Sequence, residues 1–240
     1  MSEESRTDAP VVAIVVAAGP GSRLGGDIPK ALRAVAGVPL VTRSVRQLAA
    51  GGVDFCLVVV AEGTEAAFEA ALTDAPIPCA IVVGGVERQH SVANGVALVA
   101  RHATLADADV VLVHDAARAF VPPEVVRRVI VAVRAGADAV VPVVGVVDTI
   151  REVTDDGPPA LVDRAALRAV QTPQGFPHEV LRQAHDALAE SGTIVTDDAA
   201  AAEYLGHEVT LVEGAREAFK VTDPFDLVVA ESLVAQGLLP

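Results

Sequence analysis

The stretch VVAAGPGSRLGGDIPKALRAVAG, Val15–Gly37, decides how the rest of the chain is read. An apolar run ends directly in Gly19, Gly21, Gly25 and Gly26. Glycines after a strand let the backbone approach a ligand and turn N–H groups toward it. Neither common phosphate-loop template fits. G-x-x-x-x-G-K-[ST] is absent, and G-x-G-x-x-G fails because the place of its third glycine is held by Leu24. The acid expected at the end of a second strand is also missing, since Glu62 comes too late. The loop carries Arg23 and Lys30 instead, seven residues apart. Two cations beside backbone donors suit a triphosphate and the charge that builds on a leaving pyrophosphate. A solvated loop with two surface charges is the plain alternative.

Composition sharpens the point. Of 18 basic residues only two are lysines, Lys30 and Lys220. In so arginine-rich a chain, a retained lysine marks a place that wants a compact ammonium, or it is chance. The formal net charge of −14 argues against a general nucleic-acid binder, so any anionic ligand needs a local cluster of cations. Mean hydropathy is +0.45, yet the longest apolar run, around Val11–Ala18, is too short to span a bilayer. The residues before it are net acidic, unlike a secretory n-region. These features predict a cytoplasmic protein whose residues 1–9 are a disordered tail. Cys56 and Cys79 lie in apolar runs whose spacing suits no metal motif and read as reduced core residues.

Outward from the loop, short β-branched runs alternate with amphipathic or Ala-rich stretches. The pattern predicts strands at 11–17, 55–60, 80–83, 110–113, 139–143 and 208–212. It predicts helices at 41–50, 65–72, 91–101, 123–135, 179–190, 198–205 and 224–235. The last has Asp223 as N-cap and Pro224 at the first helical position. This is an α/β chain, a mostly parallel twisted sheet with helices on both faces, and its ligands bind beyond the C-terminal strand ends. The whole of 1–240 reads as one domain. Residues 146–164 break the alternation and look like two strands around an Asp156-Gly157 turn. A lone hairpin is marginal in water. It either folds back on its own chain or, the favoured reading, is an arm exchanged with a second subunit.

Other segments carry chemistry. VLVHDAARAFV puts Asp115 at the end of a central strand, where a carboxylate suits Mg²⁺, a ribose or a substrate hydroxyl, or merely caps a turn. Arg118 follows and could take a phosphate, while His114 reads as buried structure. GGVERQHSVANGV places a glycine pair before Arg88 and Ser91 at a helix start, where Ser91 either bonds a base or caps the helix. RAVQTPQGFP places Thr172 in an extended, turn-like stretch. Thr196 and Asp197 sit at a further helix start, good for phosphate or for simple capping. Lys220 falls at an expected strand end.

Taken in order, AAGPGSRLGGDIPK, GGVERQHSV, VHDAAR, DTI, VDR, QTPQGF, TDDAAAAE and EGAREAFKVTDPFDL resemble the 2-C-methyl-D-erythritol 4-phosphate cytidylyltransferase family, from Val11 to about Glu231. The resemblance implies a Rossmann-like, CTP-dependent nucleotidyltransferase using Mg²⁺ or another divalent cation. By motif, Arg23 and Lys30 would hold the triphosphate and stabilise the transition state. Ala17, Ala18, Gly19, Gly21, Gly85 and Ser91 would form the nucleotide pocket, and Asp115 the ribose-side and metal-associated carboxylate. Arg118, Thr149, Arg164, Thr172, Thr196 and Lys220, with Asp115, would form the methylerythritol phosphate site, Arg164 and Lys220 also acting catalytically. The family's arm crosses to a partner, so the resemblance implies a homodimer with shared sites, while the acidic charge and short apolar runs predict no nucleic-acid or membrane partner. Some relatives carry a fused second domain, for which 240 residues leave no room. Three positions depart from the family's usual pattern: Val16, Val86 and Ala119. They bear on base selectivity rather than on a charged position. A sister enzyme for another polyol phosphate such as ribitol 5-phosphate, a nicotinamide-dependent dehydrogenase and a non-catalytic nucleotide-binding module are the rivals.

Overall fold

The computed structural model describes residues 9–19, 21, 25, 28–154 and 157–240. Arg23, the Asp156 half of the expected turn and nearly all of the expected N-terminal tail lie outside the described residues. From β1 (Val11–Val16) the chain passes through the glycine loop into a 3-10 turn at Lys30–Leu32. A short ladder, β2 (Ala34–Val35) and β3 (Val38–Pro39), leads into α1 (Leu40–Ala50). Alternation then continues through β4 (Phe55–Val60), α2 (Glu65–Ala71), β5 (Cys79–Val83), α3 (Arg88–Arg101), β6 (Val110–Asp115), α4 (Pro123–Arg134) and β7 (Ala139–Gly145). The hairpin is β8 (Ile150–Glu152) with β9 (Ala160–Val162). The chain returns through β10 (Arg168–Val170) and β11 (Gln174–Pro177) to α5 (His178–Ser191), α6 (Asp198–Tyr204), β12 (Val209–Glu213) and α7 (Pro224–Ala235).

The main sheet has eight strands among the described residues. β5, β4, β1 and β6 are parallel neighbours, and β12 is parallel to β7. β11 runs antiparallel between β6 and β7. Alternation along β1 sorts the core into two faces. Val11, Ala13 and Val15 pack with α1, α2 and α4, while Val12 and Ile14 pack with α3, α5 and α6. Helices therefore cover both faces, as the continuous Val/Ile runs predict. α3 crosses β1 closely because residue 95 is glycine, where a Cβ would come within 2.7 Å of the Ile14 side chain.

RAVQTPQGFP holds two strands that the sequence pattern does not predict, β10 and β11, and the turn-like place of Thr172 is the bend between them, at a cis Thr172–Pro173 peptide. β11 is only four residues long and contains Gly and Pro, so no periodicity reveals it. Its Gly175 is required because a Cβ there would lie 2.4 Å from Val129 Cγ1 of α4. Cys56 is buried but its register partner Cys79 is only half-buried, and both are free thiols. Among the described residues no helix is long and apolar enough to cross a membrane.

The hairpin forms where expected, with Ile150 opposite Val162 and Glu152 opposite Ala160. Its side chains are mostly exposed, Val147 by 70% and Leu161 by 67%.

Candidate active site

Parallel register brings the strand ends flush. Val16 lies opposite both Val59 and Asp115, and Val60 opposite Val83. The segments leaving β1, β5 and β6 therefore converge on one edge, beyond which lies a cavity of about 300 Å³. Its wall includes Ala17, Ala18 and Gly19 from the first loop, Gly85, Arg88 and Ser91 from the β5–α3 junction, and Asp115 from β6. Lys30 and Lys220 complete it. Both lysines of the chain thus face one cavity, which the composition alone left open.

Glycine is needed at the β5–α3 junction. A Cβ on Gly85 would lie 2.4 Å from His90 Cβ, and one on Gly84 would lie 2.7 Å from Ser91 Oγ. Ser91 is not at the helix start; α3 begins three residues earlier, with Glu87 in the N-cap position. The Ser91 hydroxyl accepts from Gly85 N (3.1 Å) and donates to Glu87 O (3.2 Å), so it shapes the junction. Ala17 N donates to Val59 O at 2.8 Å, which prolongs the sheet ladder and spends that amide. Gly21 has φ +63°, and its backbone lies against the Lys30 stem.

Charge is concentrated around Asp115. Lys220 Nζ lies 2.7 Å from its Oδ2, and Arg88 Nε donates to its Oδ1 at 3.5 Å. Burial works to raise this carboxyl's pKa, but Arg88 and then Lys220 outweigh it and hold the pKa well below the ordinary value. Arg88 continues the chain inward, its Nη1 2.8 Å from Asp198 Oδ2, and Asp198 Oδ1 lies 3.2 Å from His185 Nε2. Behind Asp115, its backbone N–H donates to Thr172 Oγ1 (3.0 Å), which also pairs with His114 Nδ1 (3.0 Å). His114 is fully buried, and that burial pushes its pKa down to about 4.

Other predicted residues fall elsewhere. Lys220 is on an extended segment between a 3-10 turn at Arg216–Ala218 and α7, not at a strand end, and Val221 N donates to Ala117 O at 2.9 Å. Arg118 donates to Ala218 O (2.8 Å) and Val170 O (3.1 Å), tying that 3-10 turn to the end of β10. Thr172 is buried, whereas Thr196 is exposed just before α6, whose N-cap Asp197 accepts from Ala200 N. Arg164 donates to Val147 O and lines a separate groove near the base of the hairpin, and Thr149 is exposed. Neither reaches the cavity of its own chain. Arg88, Asp198 and His185 were not legible as a connected group. The spacings 88–198 and 185–198 carry no local signal, though Arg88 and Asp198 stand inside the quoted motifs.

A mostly parallel sheet with a glycine-lined, lysine-walled cavity beyond its strand ends defines an α/β nucleotide-handling enzyme of the Rossmann-like class. The family model for 2-C-methyl-D-erythritol 4-phosphate cytidylyltransferase matches residues 11–236, and the chain belongs to that family. A relative of that description from Saccharopolyspora erythraea is 50% identical over 227 residues, covering 94% of this chain and 99% of the relative. Another, from Rhodococcus jostii, is 45% identical and covers 95% of this chain and 96% of its own. The crystal structure of 2-C-methyl-D-erythritol 4-phosphate cytidylyltransferase from Thermus thermophilus is 35% identical. It superposes with a TM-score of 0.77 over 94% of this chain and 99% of that one.

Proposed function

We propose that this protein transfers CMP from CTP to 2-C-methyl-D-erythritol 4-phosphate, giving 4-diphosphocytidyl-2-C-methyl-D-erythritol and pyrophosphate in the non-mevalonate isoprenoid pathway. The observation that carries the reading is the convergence of Lys30, Arg88 and Lys220 on one cavity of a strongly acidic chain. Family membership supplies the two substrates. In this reading Lys30, with Arg23, neutralises the triphosphate, and Ala17, Ala18, Gly19, Gly21, Gly85 and Ser91 shape the nucleotide pocket. The acceptor's phosphate attacks the α-phosphorus in line. One P–O bond forms as the bond to pyrophosphate breaks. A phosphate monoester is already anionic at neutral pH, so no general base is needed and catalysis is positioning plus charge neutralisation. Lys220 moves from Asp115 to the incoming phosphate, and by the motif reading Arg118, Thr172 and Thr196 join it in holding the acceptor, though none of them lines the cavity.

Among the described residues no group of three or more His, Cys, Asp or Glu side chains could hold a metal ion. Mg²⁺ takes one or two carboxylates and completes its shell with phosphate oxygens and water. The donors present therefore fit a Mg²⁺ that arrives with the triphosphate, with Asp115 as its protein ligand. Bound there, it would offset charge on the phosphates.

The protein in this reading is one cytoplasmic nucleotidyltransferase domain that works as a homodimer. The exposed hairpin is its arm and brings Thr149 and Arg164 to the partner's cavity. That both residues stand clear of their own cavity supports the exchange.

Pyrophosphate release tests the reading. Purified protein with Mg²⁺ is given CTP and methylerythritol phosphate beside ribitol 5-phosphate, with ATP, GTP and UTP as controls. Fast release with the first pair alone is expected. Release with another acceptor moves the protein to a sister activity, and none with any pair removes the catalytic reading.

A further inference from the structure

Behind the cavity wall an alternating chain of charge runs inward from Lys220 through Asp115 and Arg88 to Asp198, which meets the His185 ring. Its inner half is not explained by substrate contact. Asp198 is only 1% exposed and His185 5%. Nor is Asp198 needed to start α6. Asp197 caps that helix, accepting from Ala200 N at 2.9 Å. Gln174 Oε1 takes the backbone N–H groups of Asp198 (3.1 Å) and Ala199 (3.0 Å), while Gln174 Nε2 donates to Asp197 Oδ2 (2.8 Å). The helix start is thus satisfied without the Asp198 carboxylate.

An ionised carboxylate is costly to bury unless a cation answers it. His185 asks only for an acceptor, which a neutral amide would provide. Arg88 asks for a charge. Its guanidinium stands between two carboxylates, Asp115 on the cavity side and Asp198 on the core side. The contact to Asp198 is a 2.8 Å ion pair. What the pair fixes is therefore position and charge. Without a core-side anion, Arg88 would swing wholly toward Asp115 or toward any phosphate in the cavity.

We propose that Asp198 is a positioning residue for the transfer reaction: from beneath the cavity it holds Arg88 back, so that Arg88 orients Asp115 and leaves Lys220 free to exchange onto substrate. This rests on the functional reading above. His185, donating to the other oxygen, steadies Asp198 but supplies no charge that the reaction needs.

The test compares full-length Asp198→Asn, Asp198→Glu and His185→Leu with the unaltered protein, by steady-state turnover and thermal melting. If the unaltered protein shows no turnover, the functional reading fails before this proposal is reached. With that turnover present, Asp198→Asn should lower kcat about 10- to 100-fold with KM for CTP within about threefold, the signature of a group felt more in the transition state than in binding. Asp198→Glu should recover most of the kcat. His185→Leu should lower the melting temperature with kcat within about threefold. Against Arg88→Gln, the Asp198→Asn change should add less than about twofold, because both act through one guanidinium. A kcat for Asp198→Asn within twofold of normal, equal kcat losses for Asp198→Asn and His185→Leu, or independent losses with Arg88→Gln would overturn the proposal. If Asp198→Asn fails to fold, Arg88→Lys carries the test. One ammonium cannot bridge both carboxylates, so a similar kcat loss is expected and retained kcat overturns it.

Discussion

Lys30 stands on the 3-10 turn after the glycine loop, on the cavity wall, in a chain that otherwise uses arginine for nearly all its positive charge. Removing it should cost reaction rate rather than stability. Lys30→Ala is expected to lower kcat/KM for CTP by about a hundredfold or more while the melting temperature moves only a few degrees. Near-normal kcat/KM would sink its assignment to the triphosphate. His114 makes the opposite kind of prediction. Burial pushes its folded pKa down to about 4, below the ordinary value of 6.5. The unfolded chain therefore binds the proton first, and stability is lost as pH falls from about 6.5 toward 4, by up to about 3 kcal/mol. Asp115 and Asp198, whose pKa values are depressed, add their own loss lower, beginning as pH falls through the ordinary carboxylate range and growing below it. Urea midpoints measured across the upper window should slope less in His114→Gln than in the unaltered protein. An unchanged slope would assign the titration to another group.

At the scale of elements, the β5–α3 junction and the start of α7 carry the site. Gly85→Ala forces His90 and the first turn of α3 to shift, because the new Cβ would lie 2.4 Å from His90 Cβ. KM for CTP should rise about tenfold with kcat less affected, read from initial rates at fixed acceptor. α7 begins with a reciprocal cap: Asp226 N donates to Asp223 Oδ1, and Asp223 N to Asp226 Oδ2, both at 3.1 Å. Asp223→Ala should cost about 1 kcal/mol by denaturant titration. It should also loosen the segment that carries Lys220, seen as a raised KM for the acceptor and not for CTP. Helix and strand placement was legible because β-branched runs and amphipathic stretches have distinct periods. β6, for example, runs only two residues beyond its predicted end, to Asp115. β11 was not legible. Its four residues owe their extended form to neighbours on both sides, Val113–Val110 of β6 and Val140 of β7, rather than to any preference of their own.

At the scale of the molecule, the hairpin is the part that the isolated chain does not explain. Val153 is 80% exposed and Leu161 67%, and β8 and β9 are formed with little to cover them. A two-stranded ribbon gains stability by packing on something. On the proposed homodimer, replacing Val153 and Leu161 together by Asp should give a monomer by light scattering, with CTP binding retained and turnover lost. A variant that stays dimeric and active would show that the arm is not the interface.

The sequence by itself determined the alternation of the sheet, the cap at Asp223, the strand-end place of Asp115 and the family. These follow from local period, local hydrogen bonding and ordered motifs, all of which survive in one dimension. Only the tertiary structure decided that both lysines share a cavity, that the Ser91 hydroxyl is spent on its own junction and that Arg88 stands between two carboxylates. Those facts depend on register between strands and on helix closeness set by Gly85 and Gly95. Residues 88, 115, 198 and 220 are brought together by long-range packing that no local spacing encodes.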